Sequence, residues 1–237
     1  TVLNSPSDGR ERAVSTALML QYYGVYASPP LEPVVSPNGD GVAEEQKLSF
    51  KVVRPSTVTA TLTAPDGTIA WQEAGARDPG IYEVPFPPAP SALPEGQPAP
   101  QSAAPAEGRW TLSLGATDDQ GLGSSASRRF FVNSTLASLR APARIVVRPT
   151  TGGRADVRWT QARPARVRVT IESPEGVVVR TVADGARQAG AQEASWDGRG
   201  ANRKPVGTGR YVVRVAATNE LGAVSLTAPI TVRRVKR

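Results

Sequence analysis

Short alternations of apolar and polar residues run through most of the chain. Leu48-Ser49-Phe50-Lys51-Val52 and Val58-Thr59-Ala60-Thr61-Leu62 place an apolar side chain at every second position, the period of a half-buried strand. Residues 81–86, 109–114 and 129–132 continue the pattern, and Pro65-Asp66-Gly67 punctuates it as a hairpin turn. Between 87 and 108 the alternation stops. That stretch is almost wholly Pro, Ala, Ser, Gly, Gln and Glu, too polar to order itself by burial, and is expected to be a mobile insertion.

The pattern then occurs a second time. Residues 54–67 align with residues 163–176 at a constant offset of 109, which sets Phe50 on Trp159 and Leu48 on Val157. Phe86 falls on Trp196 at an offset of 110. Beyond the insertion the offset is 101, with Trp110 on Tyr211, Leu112 on Val213, Leu114 on Val215 and Gly121 on Gly222. A period of about 100 residues is that of a domain and not of a solenoid. Each copy supplies about seven short strands with regular turn signals, which predicts an all-β chain of two tandem Ig-like β-sandwich modules. Phe50, Phe86, Trp110, Trp159, Trp196 and Tyr211 share the phase of the apolar positions and are the expected core aromatics.

The expected boundaries follow. Residues 1–27 read as the closing strand of an upstream domain, and the proline-rich 28–33 as a linker. The first module takes 34–135 with the insertion at 87–108, and the second takes 136–237 with a basic tail. The chain does not begin with Met and reads as a piece of a longer protein. No apolar run approaches the roughly 18–20 residues of a membrane-spanning helix.

Two resemblances bear on these segments. Asn4, Pro6, Ser7, Asp8, Gly9, Glu11, Arg12, Val14, Ala17 and Leu18 fit a closing pattern that resembles the C-terminal end of the phosphodiester glycosidase family. That family includes the enzyme that removes N-acetylglucosamine from a phosphodiester to uncover mannose 6-phosphate. Its glycine-rich catalytic motif has no counterpart here, so the resemblance implies the tail of an enzyme without its active site. In the second repeat, Trp196-Asp197-Gly198, Asn202, Pro205-Val206, Gly209, Tyr211, Asn219 and Gly222 resemble the Ig-like module of the flagellar hook-capping protein. Ser36-Pro37-Asn38-Gly39-Asp40-Gly41 is similar to the opening of such modules and of gliding-motility C-terminal domains. The first repeat departs from the pattern, with Phe86-Pro87-Pro88 in place of Trp-Asp-Gly.

Composition narrows the chemistry. Cysteine and histidine are both absent, which removes disulfides, thiolate or imidazole metal sites, the Ser-His-Asp triad and the Cys-His pair. Glu44-Glu45 and Asp118-Asp119 are the adjacent acidic pairs; both lie in turn contexts, where neighbours point apart and do not flank a cleft as paired glycosidase carboxylates must. No catalytic site is expected within this chain. Asn38, Asp40, Glu44 and Glu45 put oxygens on a tight loop, which is what Ca²⁺ requires and also what a plain turn looks like.

Charge divides the two halves. Residues 1–135 hold 9 basic and 14 acidic side chains, net −5, whereas residues 136–237 hold 19 and 7, net +12. A half so basic suits an anionic partner. Arg158, Arg166 and Arg168 alternate with apolar residues and would form a basic stripe if their strands pair; Arg199, Arg203 and Lys204 are the basic tip of the loop between Trp196 and Tyr211. The bland alternative is a solvated outer face. With no aromatic platform or nucleic-acid motif, an anionic cell-wall polymer or polysaccharide is the expected partner, and specific nucleic-acid binding is not. The functional expectation is a pair of accessory or spacer modules, secreted or on a bacterial cell surface, behind a phosphodiester glycosidase-like domain. The alternative is a structural or adhesive surface protein with no enzyme attached.

Overall fold

The computed structural model describes residues 24–88 and 105–235. Most of the insertion at 87–108, the glycosidase-like pattern at 4–18 and the last two residues of the basic tail lie outside that range. Among the described residues there are sixteen strands and no helix. The first eight are β1 (Val25–Ala27), β2 (Val34–Val35), β3 (Leu48–Val52), β4 (Ser56–Thr63), β5 (Ile69–Arg77), β6 (Gly80–Val84), β7 (Gly108–Asp118) and β8 (Gly123–Val132). The second eight are β9 (Leu136–Arg140), β10 (Arg144–Val147), β11 (Ala155–Gln161), β12 (Ala165–Glu172), β13 (Val178–Arg187), β14 (Gly190–Trp196), β15 (Gly209–Asn219) and β16 (Gly222–Arg234). The all-β sandwich architecture read from the alternation is the observed one.

Two compact units form. The first takes the described residues up to Pro33 with Glu45–Phe131, and the second takes Val34–Glu44 with the described residues from Val132 onward. In the first unit β1, β3 and β6 make one sheet and β8, β7, β4 and β5 lie side by side in another. Val25, Tyr26 and Ala27 pair with Val52, Lys51 and Phe50, and Val25 and Ala27 are buried. These three residues, read from sequence as the end of an upstream strand, are thus an edge strand of this unit. Phe86, Trp110 and Phe130 close its core, with ring centroids 4.9–6.5 Å apart.

The second unit packs a β14-β11-β9 sheet on a β10-β16-β15-β12-β13 sheet. Leu136, Val157, Trp159 and Trp196 from the first meet Val167, Val169, Ile171, Val213, Val215 and Val232 from the second in one buried cluster. Burying a Val, Leu or Ile side chain contributes about 1.5–3 kcal/mol, so alternation on both sheets is what holds the layers together. Residues 34–44, assigned from sequence to the first module, form part of this unit: Val35 O accepts Asn133 N–H, and Val34 covers Gly222 so closely that a Cβ there would come within 2.6 Å of it.

The sequence repeat is a repeat of strand register. In β4–β7, Leu62 lies opposite Leu112, Ala60 opposite Leu114 and Val58 opposite Ala116. In β12–β15 the matching positions pair in the same way: Ile171 with Val213, Val169 with Val215 and Val167 with Ala217. Phe50 faces Tyr82 in β3–β6, and Trp159 faces Gln192 in β11–β14. The step from offset 109 to 110 also has a structural cause. Thr170 pairs with Thr181 but Val169 pairs with Ala183, so Val182 is an extra residue bulged out of β13. In the first unit Ala60 and Thr61 pair with the consecutive residues Glu73 and Gln72.

Turns match too. Gly67 and Gly176 both have φ above +80° and close equivalent hairpins, with Gly67 N donating to Ala64 O and Gly176 N to Ser173 O. Gly198 is constrained further: its φ is +78°, and a Cβ on it would sit 2.3 Å from Val147 Cγ2, whereas a Cβ on Gly176 would meet open space. Gly198→Ala is therefore expected to cost about 3 kcal/mol or more, against about 1 kcal/mol for Gly176→Ala. Denaturant unfolding of the two variants checks this, and equal losses would contradict the close approach.

Candidate functional site

The glycine-rich loop from Trp196 to Tyr211 is a closed hydrogen-bonded structure. Gly200 N donates to Lys204 O, Arg203 N to Gly200 O, Val206 N to Gly198 O and Ala201 N to Val179 O. Asp197 Oδ1 accepts the Arg199 N–H, Trp196 Nε1 donates to Arg199 O, and Tyr211 OH donates to Gly207 O, 3.1 Å away. That last bond matches Trp110 Nε1 to Ala106 O in the first unit; each aromatic ties the entry of its strand to the carbonyl four residues upstream, much as a tyrosine corner does. The N–H groups of Arg199, Gly200, Ala201, Arg203 and Val206 are thus already taken and are not free to cradle an anion.

The expected core aromatics fall where their phase put them, with differences of degree. Phe50, Trp110, Trp159 and Trp196 are buried. Tyr211 is half-buried against the core of its unit, and Phe86 is half-buried as well. Trp159 and Trp196 are 2% and 1% exposed, which leaves neither a free face on which a sugar could stack.

The acidic pairs are engaged locally. Asp118 is buried, and its Oδ1 accepts N–H bonds from Gln120 and Leu122. Asp119 Oδ1 lies 2.9 Å from Arg54 Nη2, and the Arg54 hydrogen bond holds its carboxyl below the ordinary value. A depression of about 550 Å³ on the first unit is lined by Thr57, Thr59, Ser124, Ser125 and their Gly, Ala and Thr neighbours, with no titratable side chain. In the 38–45 loop, Asn38 Oδ1 accepts Asp40 N–H, Asp40 Oδ1 accepts Val42 N–H and Glu44 Oε1 accepts Gly41 N–H. Among the described residues no group of three or more His, Cys, Asp or Glu side chains is disposed to hold a metal ion. With no such cluster, and one oxygen each of Asn38, Asp40 and Glu44 bonded to backbone, excess Ca²⁺ is expected to leave the melting of the chain unchanged in calorimetry. A melting temperature that rises with Ca²⁺ would instead assign Asn38, Asp40, Glu44 and Glu45 as ligands.

The candidate arginines do not form one stripe. Arg158 lies on β11, in the three-stranded sheet, whereas Arg166 and Arg168 lie on β12, in the five-stranded sheet. Their strands do not pair, because in a sandwich the two are in separate layers. Each is also matched by a carboxylate. Arg158 Nε is 3.1 Å from Glu193 Oε2, Arg166 Nη2 is 2.9 Å from Asp184 Oδ1, and Arg168 Nε is 3.0 Å from Asp184 Oδ2. Arg199 is turned into its own loop, donating to Arg203 O and Thr150 O. Arg203 and Lys204 are exposed at the loop tip.

On the same outer face, Arg214 Nε is 3.0 and 3.1 Å from the two carboxylate oxygens of Glu172. Arg144, Arg210 and Arg233 are exposed, and no hydrogen bond or ion pair engages their guanidinium groups among the described residues. Sequence reasoning did not single out Arg144 or Arg210 and read Arg233 only as part of the basic tail. Their signal was present, since each alternates with a core-facing residue, buried Ile145 or Val232 or half-buried Tyr211, but only the register brings them together.

Exposed ion pairs contribute little to stability, yet they set the charge that the face presents. The hydrogen bond from Arg166, and then that from Arg168, hold the Asp184 carboxyl below its ordinary value. A depressed folded-state value means that this contribution is present above the unfolded carboxylate range and is lost as pH falls through the folded value. In an Arg166→Gln/Arg168→Gln variant the Asp184 titration, followed by NMR, is expected to move up toward an ordinary carboxylate. An unmoved titration would contradict the pairing.

Comparison with known proteins fits this architecture. Residues 145–220 match the family model of the FlgD Ig-like domain. No curated protein sequence matches the chain. Among solved structures, dimeric latent PorU from Porphyromonas gingivalis is 15% identical, with 98% of this chain and 22% of that one covered and a TM-score of 0.32. A tetra-tandem repeat from the extending region of a large adhesion protein is 19% identical over 88% of this chain and 50% of that one, with a TM-score of 0.27. CopC from Methylosinus trichosporium OB3b is 18% identical over 44% of this chain and 98% of that one, with a TM-score of 0.28. The chain thus spans about a fifth of the length of PorU. Residues 145–220 of the second unit are thus similar to a FlgD Ig-like domain, and the chain is all-β, built as Ig-like β-sandwich units.

Proposed function

We propose that this chain is a non-catalytic accessory region of a secreted bacterial protein, in which the modules act as spacers and the second one holds the protein to an anionic polymer of the cell wall. The observation that carries the reading is the charge split, net −5 in residues 1–135 against +12 in residues 136–237. The pattern at Asn4, Pro6, Asp8, Gly9, Glu11 and Arg12 supports a phosphodiester glycosidase-like domain upstream. The duplication of register supports a second reading, an adhesive or structural array with no enzyme. The upstream coding sequence separates the two: a glycosidase domain favours the first, and further repeats of about 100 residues favour the second.

The test of wall attachment is retention of the chain on an immobilised poly(glycerol phosphate) matrix. Retention is expected at low salt and is expected to fall steadily as salt rises. The chain should also release no sugar from an N-acetylglucosamine 1-phosphodiester. Absence of retention at low salt, or turnover of that substrate, would overturn the reading.

A further inference from the structure

The geometry points to one face for polymer capture, the outer face of β10, β16 and β15, with Arg144, Arg210 and Arg233 as a three-point clamp for a flexible phosphodiester chain. This inference rests on the wall-attachment reading above and locates it.

Register carries the argument. Thr231 of β16 pairs with Arg144 of β10 on one side and with Arg210 of β15 on the other. The three residues form one row across three neighbouring strands. Strands are spaced about 4.8 Å apart, so the two arginines flank Thr231 over roughly 10 Å. Arg233 lies two residues beyond Thr231, opposite Val146, and so on the same face. Their neighbours Ile145, Val147, Ile230 and Val232 are buried in the core, which fixes the direction of the three guanidinium groups toward solvent.

Elsewhere on this face the arginines have carboxylate partners, although one carboxylate is shared by two of them. Asp184 serves Arg166 and Arg168. Glu172, the nearest carboxylate along β12, faces Val212 and is held by Arg214 and by the hydroxyl of Thr170. Glu175 in the adjoining turn bonds Ser173. The guanidinium groups that lack a carboxylate partner therefore gather at its β10 end.

Three planar forks at this separation suit successive phosphates, each of which accepts two N–H bonds from one guanidinium. The surface between them consists of Thr231, Val146 and Val212. With no aromatic among them there is nothing on which a base could stack, so a polyol phosphate fits better than a single-stranded nucleic acid. Arg158, Arg199 and Arg203 lie outside this clamp.

The test uses the full chain with poly(glycerol phosphate), titrated across a salt series. An R144Q/R210Q/R233Q variant, with its melting checked against the parent, is expected to bind about tenfold or more weakly at low salt. Its log–log salt slope is expected to fall by about two to three, one counterion for each lost contact. An R158Q/R203Q/K204Q variant should stay within about twofold of the parent, although it carries the same change in net charge. Equal weakening of the two variants would overturn the clamp and leave the attachment reading in place. No binding by the unaltered chain would overturn both. A base-bearing oligonucleotide of the same charge that bound tenfold tighter than the polyol phosphate would overturn the assignment of partner.

Discussion

Everything in the second unit depends on the antiparallel pairing of β12 with β15. Ile171, Val169 and Val167 stand opposite Val213, Val215 and Ala217, all of them buried. Because side chains alternate across a strand, this choice fixes what faces outward as well: Arg166, Arg168, Thr170 and Glu172 from one strand and Arg214 from the other. A slip of one residue would turn the arginines into the core and the valines into water. The cost of burying a guanidinium without a matched partner far exceeds what a sheet could recover. The core thus enforces the surface pattern, and the ion pairs follow from it.

The same constraint explains why two copies can differ so much outside the core. The β4–β7 pairing repeats the β12–β15 pairing residue for residue. Hairpin glycines and the aromatic that bonds back four residues recur with it. Elsewhere the copies are free to diverge. The outer row of β4 carries Thr57, Thr59 and Thr61 where β12 carries Arg166, Arg168 and Thr170. A face exposed to water tolerates either set, and charge has accumulated on only one.

Much of this was legible in the sequence, and the limits have physical causes. Period-two alternation and turn glycines fix strands and repeat offsets because they are local. The change of offset from 109 to 110 was visible too, although only the pairing of Val169 and Thr170 shows Val182 as the bulge behind it. What sequence could not reveal is which layer a strand joins. Arg158 and Arg168 looked like neighbours because β11 and β12 are consecutive, yet they lie in different sheets. Asp184 and Glu193 were not evident as their partners because pairing across a sheet has no fixed sequence spacing. Arg144, Arg210 and Arg233 are far apart along the chain and meet only through β16. Residues 34–44 read as the opening of the nearer module, and their contacts lie with the second unit.

One strand register, used twice, sets both core and surface. Interstrand backbone NOEs in an isotopically labelled sample test it directly. Cross-strand contacts are expected to join Leu62 to Leu112 and Ile171 to Val213 in the same spectrum. NOEs that place either pair one residue out of step would contradict it.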